Sequence, residues 1–467
     1  MITFVLCGYV FYVLSKNDSR KNKYVCLLSI AAVLEVLDIR GPIVPLGESL
    51  VISRSGVFEI ILWLYSLYYI KVEKIKINPY FMTGVYLFIF FALVGLTYES
   101  LIPYENPIID HYNELSWDGY AYGLTSKTPA KVSWSWSIFM LFKLSIVLVQ
   151  LVIIKSILKK DDLLSVLRKM DRFIYYAIVY AVVEMTCKLI LNIPNISDAF
   201  SNILFFTNDY EGMRDESYAL VGVGPEPSVL ARYLFLAVII AYFRKKYDDI
   251  YGMTSYYCTV IVALLLMILS KSAASYWLMT MMFVLIYVIK KQNKKYDFKK
   301  IIIRLLVFVS LLSMLIWAGG NWLDSSDSYA AYRINRALYT LDYITSTNVL
   351  SYNYGGESSL ARLGSIYDVF CDFLERPVLG LGAGVQISHG GISSFLCEYG
   401  LVGLVIWLGL MFRKTREKRI SIMFFMVWFF IMNLPLRMGN LPYDIYPLVI
   451  FEMTCLSRGT KNEELKC

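Results

Sequence analysis

Charge is scarce in this chain. Asp, Glu, Lys and Arg make up 18% of 467 residues, against 57% hydrophobic and 16% aromatic. An ordinary soluble domain faces water with more polar surface than this, so the composition excludes one and calls for lipid around the protein. Histidine is scarcer still, with two residues. The cysteines (Cys7, Cys26, Cys187, Cys258, Cys371, Cys397, Cys455, Cys467) are scattered, mostly in apolar runs, with no CxxC pair and no alternation with histidine. That spacing gives neither a disulfide framework nor a zinc site. Internal repeats, low-complexity tracts and appended soluble modules are also missing, so residues 1–467 read as a single membrane domain. The formal charge of +8 does not signal nucleic acid, because Lys and Arg stand in short runs between apolar stretches instead of lining one soluble groove. The first apolar run, Ile2 to Leu14, lacks a basic leader and a small-residue cleavage site, and is expected to be a retained helix and not a signal peptide.

What is present in abundance is apolar sequence in helix-length blocks. A helix crosses the hydrocarbon with roughly 20 apolar residues, fewer when aromatics anchor its ends. By that rule about thirteen spans fall near 2–15, 24–39, 54–70, 80–98, 135–154, 173–191, 226–243, 255–270, 274–289, 301–318, 393–412, 420–434 and 445–457. The fold class expected is therefore an all-α polytopic membrane protein. Basic clusters occupy alternate loops: Lys16 to Lys23, Lys71 to Lys76, Lys155 to Arg172, Arg244 to Lys246, Lys290 to Lys300, Arg413 to Arg419 and the tail from Arg458. Cytosolic loops are enriched in Lys and Arg, so the C-terminus is expected in the cytosol and the N-terminus outside. The outer side then holds three long loops, 99–134, 192–225 and 319–392. In the last, 329–347 and 358–375 carry apolar residues at helical spacing, such as Leu360, Leu363, Tyr367, Phe370 and Leu374, and read as amphipathic helices on the outer surface or over a cavity. Arg376-Pro377 ends the second, since proline cannot continue the ladder.

Ionisable side chains at membrane depth cost several kcal/mol unless paired or wetted, which makes each a candidate for function. Glu35, Asp38, Glu59, Lys143, Glu184, Lys188, Arg232, Glu398 and Glu452 qualify. Glu184 and Lys188 stand four apart and most simply neutralise each other; Glu59 and Glu452 read as helix-packing partners. Two segments concentrate chemistry. The first, Arg214 to Tyr233, brings Arg214, Glu226, Ser228 and Arg232 to the junction of a loop and a span, with Glu226 between Pro225 and Pro227 at a helix start. The second, Ala361 to Gly403, holds Arg362, Arg376, glycines at 380, 382 and 384, and His389 just before a span. A histidine at such a boundary suits a general base, though a structural role is open. The glycine run either presents amides to an anion or makes a plain turn. Aromatics such as Trp117, Tyr120, Tyr122, Trp134, Trp136, Trp322, Tyr329 and Tyr332 suit sugar stacking or interfacial anchoring. His111 reads as exposed.

The stretch from Arg362 to Gly403 resembles the signature region of the O-antigen polymerase and O-antigen ligase family of bacterial glycosyltransferases. It has an arginine opening an outer-loop helix, the turn Pro377-Val378-Leu379-Gly380-Leu381-Gly382, then His389 with Gly400 eleven residues on and Glu398 at the family spacing. Gly390 and Ser393 stand where the family often has asparagine and leucine. Arg214 with Glu226-Pro227-Ser228 is similar to what polymerases of this family carry in the previous outer loop. The resemblance implies a GT-C-like architecture in the bacterial cytoplasmic membrane, with its site facing the periplasm or the cell exterior. It also implies transfer of a glycan from undecaprenyl diphosphate to an acceptor hydroxyl. Implied partners are the lipid-linked oligosaccharide donor and acceptor, membrane lipid, a chain-length regulator and the flippase of the same pathway, with no cofactor.

That reaction builds negative charge on phosphate oxygens, which a metal or fixed cations must meet. The nearest acidic pair, Asp209-Tyr210-Glu211, is a poor match for metal chemistry, whereas the planar arginine fork fits phosphate. A metal-independent site is therefore expected, with Arg214 and Arg362 as first diphosphate ligands, Arg232 and Arg376 behind them, and Arg333 and Arg336 interfacial. His389 or Glu226 takes the acceptor proton, His389 preferred because its ordinary pKa suits neutral pH. Polymerase is favoured over ligase by the Glu-Pro-Ser segment; a lipid-linked oligosaccharide transporter is the distant alternative, because it needs a charged path through the bundle.

Overall fold

The computed structural model describes residues 2–37, 42–45, 51–103, 134–193, 220–223, 227–270, 369–370, 372–384, 391–412 and 444–456, with Ser275, Leu278, Met279 and Met282. The helices are α1 (Ile2–Ser15), α2 (Arg20–Leu37), α3 (Arg54–Val72), α4 (Pro79–Leu101), α5 (Trp134–Ile157), α6 (Lys160–Met185), α7 (Pro227–Tyr247), α8 (Met253–Leu269), α9 (Gly391–Phe412) and α10 (Tyr446–Leu456). Each coincides with an expected span. The spans expected at 301–318 and 420–434, and that at 274–289 apart from four helical residues, lie outside the described residues. Among the described residues five helices are long and apolar enough to cross a membrane. The chain is a helical, membrane-embedded protein.

Among the described residues the chain departs from an all-helical fold at one place. Between α2 and α3, β1 (Pro42–Pro45) pairs antiparallel with β2 (Val51–Ser53). Here Val44, Val51 and Ile52 are β-branched, and the prolines limit the pair to a short stretch.

A second departure concerns the basic stretch from Lys155 to Arg172, expected to be a loop. Most of it is helix, because α6 begins at Lys160 and runs on through a π turn, Thr186–Ile190, without interruption. Asp161 and Asp162 occupy its first turn, where carboxylates complement the helix dipole, and Asp162 Oδ2 accepts the Lys159 N–H at 2.8 Å. Leu163, Leu164, Val166, Leu167 and Met170 then bury one face, so charge on the other face hid an amphipathic start.

Packing centres on α7, which is buried along nearly its whole length against α2, α6 and α8. Helix α2 also packs on α3 and α6, α10 on α2, α5 and α6, and α4 on α5 and α9. Facing outward are Phe11, Tyr86, Phe90, Ile138, Tyr175, Ile261 and Val405, a surface that suits acyl chains. At one end of the bundle the basic segments meet through ion pairs: Arg20 with Glu73 at 2.7 Å, Lys21 with Asp162 at 2.5 Å, and Arg244 with Asp171. The basic segments at 16–23, 71–76, 155–172 and 244–246, separated along the sequence, thus meet at one face.

The same end carries a bidentate clamp. Arg168 donates to both Asp248 oxygens at 2.9 and 2.8 Å, and Arg244 Nε donates to Asp248 Oδ2 at 3.1 Å. The Arg168 hydrogen bonds hold the Asp248 carboxyl below the usual aspartate range. A depressed folded-state value stabilises at neutral pH and is lost as pH falls through it. Asp248→Asn is expected to cost about 1–3 kcal/mol near neutrality, measured as thermal unfolding in detergent, with the gap to wild type closing in acid. A gap that does not change with pH would remove the ionic explanation.

Candidate functional site

Helix α9 is broken at Gly400, whose φ of 60° and ψ of −169° lie outside helical space. An unbroken helix would bond the Leu401 and Val402 amides to the Cys397 and Glu398 carbonyls. Instead, residues 377–382 insert at the break. Leu401 N donates to Pro377 O at 2.8 Å and Val402 N to Val378 O at 3.2 Å, while Leu381 N donates to Cys397 O at 2.6 Å and Gly382 N to Glu398 O at 3.0 Å. Two helix bonds are exchanged for four to the turn, so irregular backbone is accommodated inside the bundle without orphaned groups.

Two glycines make the insertion geometrically possible. A Cβ on Gly400 would stand 2.3 Å from Val378 O, and one on Gly380, at φ 71°, would stand 2.5 Å from Cys397 O. Neither position has room for a side chain, and both need the left-handed region that glycine enters freely. The turn is further held by Leu96 of α4 against Gly382 and by Trp136 and Met140 of α5 against Gly384.

These contacts decide between the two readings of the glycine run. The amides of Gly380, Leu381 and Gly382 donate to Arg376 O, Cys397 O and Glu398 O, so they form a turn and do not face an anion. Helical residues 372–375 end at Arg376, as the proline requires. Around them Val369, Asp372 and Phe373 are buried, whereas Phe370 and Leu374, two residues of the expected amphipathic stripe, are exposed. Phe370 and Leu374 thus face out of the bundle, and the Asp372 carboxyl faces into it.

Charge collects around this turn. Glu99 at the end of α4, Asp372 and Glu398 are each about 1% exposed, and all three act electrostatically on the buried Cys397 thiol. Arg376 meets Glu99: Nε lies 3.5 Å from Glu99 Oε2, Nη2 donates to Ile102 O at 3.2 Å, and the guanidinium sits 5.0 Å over the Tyr98 ring. Glu398 was legible as a charge inside an apolar span. Glu99 and Asp372 were not, since each stands near the polar end of an element where a carboxylate attracts no notice.

Arg232 lies in the second turn of α7 and is buried. The chain just before α7 is tied to α6 by Glu184, which accepts the Gly222 N–H at 2.6 Å and the Val221 N–H at 3.1 Å as well as pairing with Lys188 at 2.8 Å. The expected pair therefore forms, and its carboxylate also anchors the segment that leads into Pro227. Glu59 pairs with Lys143 at 3.9 Å and Glu452 with Lys155 at 2.8 Å, both across helices, as packing partners. Trp134 anchors by donating from Nε1 to Ser100 Oγ at 3.2 Å. Arg214, Glu226, Arg362 and His389 lie outside the described residues, as do Asp38, His111, Arg333, Arg336, the Asp209 to Glu211 segment and the aromatics Trp117, Tyr120, Tyr122, Trp322, Tyr329 and Tyr332. Compared with known families and curated proteins, the chain matches no family model and no curated protein.

Proposed function

We propose that this chain is a bacterial polysaccharide polymerase. In this reading it transfers a growing glycan, of O-antigen or capsule type, from undecaprenyl diphosphate to the next lipid-linked repeat unit on the outer face of the cytoplasmic membrane. About thirteen spans in a GT-C-like arrangement then carry the long loops outward. The observation that supports the reading most is the inserted turn. The two halves of the signature on which the resemblance rests meet, because Pro377 to Gly382 is bonded to Cys397, Glu398, Leu401 and Val402, the residues on either side of Gly400. A spacing pattern that is only textual in the sequence thus corresponds to one structural unit, and that unit leads through Gly391 back to His389.

Within this reading the arginines divide by what they already touch. Arg376 is engaged by Glu99 and the Ile102 carbonyl, so it is assigned to positioning the loop on α4. Arg214 and Arg362 are assigned to the diphosphate, with Arg232 behind them. His389, or Glu226, accepts the acceptor hydroxyl's proton while the glycosyl carbon exchanges the diphosphate oxygen for that hydroxyl oxygen. No metal is invoked, the chain-length regulator and flippase are the expected neighbours, and ligase activity toward the lipid A core is the closest alternative.

A transporter reading has one observation in its favour. Buried ionisable groups occur at several levels of the bundle, among them Glu35, Glu59 with Lys143, and Lys155 with Glu452. Deletion of the gene separates all three functions by the glycan that accumulates. Single repeats on the surface with loss of the ladder indicate a polymerase, and long chains held on undecaprenyl diphosphate indicate a ligase. Unpolymerised lipid-linked repeats trapped in the inner leaflet indicate transport. At normal protein level, His389→Ala is expected to slow polymer formation roughly 10²–10⁴-fold, and Arg362→Lys to impair it by losing the bidentate fork. A full ladder from either variant removes that residue from the proposed chemistry.

A further inference from the structure

The last turn of α7 and the first turns of α6 and α8 carry lysines that the ion pairs of the basic end do not use. Arg168 and Arg244 occupy Asp248, and Arg244 also reaches Asp171. Lys160, Lys245 and Lys246 form no ion pair among the described residues, and each ammonium lies over a tyrosine ring instead. Lys245 Nζ stands 4.3 Å from the Tyr256 centroid and 5.1 Å from that of Tyr257, the two rings meeting edge to face at 5.3 Å. Tyr247 holds two ammoniums at once, Lys160 at 4.5 Å and Lys246 at 5.0 Å. A ring attracts a cation through its quadrupole without cancelling its charge, so the field of three lysines persists. Lys160 stands in the first turn of α6, where the helix dipole is positive as well. The acids that adjoin these lysines in the chain, Asp161 and Asp249, are exposed to solvent.

From the same tyrosines an apolar track runs along α8. Tyr257, Ile261 and Leu265 are spaced by four and Ile268 follows by three, which puts them on one helix face, and all four are exposed. From Tyr257 to Ile268 the track rises about 16 Å, close to the roughly 15 Å of one hydrocarbon leaflet. Other outward faces of the bundle are apolar too. This one is distinguished by an ammonium held over its first ring.

We propose that this corner binds one anionic phospholipid, with its phosphate on Lys245 and Lys246 and an acyl chain along Tyr257, Ile261, Leu265 and Ile268. Lysines at helix ends beside the membrane surface attract anionic head groups, and Lys160 strengthens that field. A soluble phosphate or an acidic peptide would meet the cations and leave the track unused; a lipid engages both. The site is independent of the glycan reading, since it uses none of that reading's residues.

The test is native mass spectrometry of the full chain in detergent, with phosphatidylglycerol and phosphatidylcholine of identical acyl chains as probes. Phosphatidylglycerol is expected to bind about tenfold more tightly. Lys245→Gln with Lys246→Gln should bring the two lipids within about twofold of each other. Lys74→Gln with Lys76→Gln makes the same charge change on exposed lysines between α3 and α4, and should keep the preference. Glycerol phosphate, a head group without chains, should not displace the lipid at equal concentration. Equal binding of both lipids by the unaltered protein overturns the inference, and that comparison needs no variant to fold. A preference that survives in the Lys245 and Lys246 variant, or that falls equally in both double variants, also overturns it, because the charge of the whole end would then be responsible. Displacement by glycerol phosphate overturns it in favour of a soluble phosphate ligand.

Discussion

Gly400→Ala is expected to destabilise the protein by about 2–5 kcal/mol, more than any other single methyl group added at the turn's partner helix. A left-handed conformation costs a non-glycine residue about 1–2 kcal/mol before any contact is counted. The added Cβ then stands 2.3 Å from Val378 O, a backbone atom with no rotamer to change. If the turn retreats, Leu401 and Val402 lose their acceptors at Pro377 and Val378. If α9 straightens instead, it regains its own two bonds, and the Leu381 and Gly382 amides are left buried without acceptors. Both escapes lose hydrogen bonds in an apolar interior. Gly252, at the start of α8, is the control, because a Cβ there meets nothing within 4 Å. Gly252→Ala should stay within about 1 kcal/mol of wild type. Thermal unfolding and the fraction extracted as folded, monodisperse protein measure both, and equal behaviour of the two variants would mean that the inserted turn does not support the bundle.

The second large effect is expected at Glu452→Leu. Lys155 and Glu452 pair at 2.8 Å with side chains 2% and 10% exposed, and the ammonium also lies 5.3 Å from the Phe451 ring centroid. Removing the carboxylate of a buried ion pair typically costs about 3–5 kcal/mol, whereas replacing both partners by apolar groups of similar volume is often neutral. Lys155→Met with Glu452→Leu should therefore recover most of the loss. A surface pair gives the contrast: Lys16 and Asp18, 52% and 39% exposed, should tolerate Asp18→Asn with no measurable change in thermal unfolding. A double variant as unstable as the single would show that Glu452 does more than neutralise Lys155.

Much of the helical layout is legible in the sequence. Block length and hydropathy locate α1 to α10 because lipid demands continuous apolar helix, and that demand is written in order along the chain. The pairing of Glu184 with Lys188 is legible for a similar reason, since four residues on one helix fix their neighbourhood. Periodicity is less reliable where charge and burial share an element. The first turns of α6 look like a basic loop, although one face of them is buried.

The candidate site divides in the same way. His389, Arg362 and the Pro377 to Gly382 turn stand out by residue type and spacing, yet nothing local says that the turn breaks α9. That depends on carbonyls of Cys397 and Glu398 meeting amides some sixteen residues earlier in the chain. Glu35 likewise reads as one acid in one span until the start of α10 brings the Ile445 and Tyr446 amides to it.

The sequence by itself determined that this is a membrane-embedded helical chain, where most of its helices begin and end, and which residue types are available for chemistry at their ends. Tertiary structure alone decided which polar groups satisfy one another: the turn inside α9, Arg376 against Glu99, and Glu35 against the amides that open α10. The physical reason is that partitioning into lipid is a sum over neighbouring residues, whereas a buried charge or an open amide is satisfied by whichever distant segment folding brings within about 3 Å.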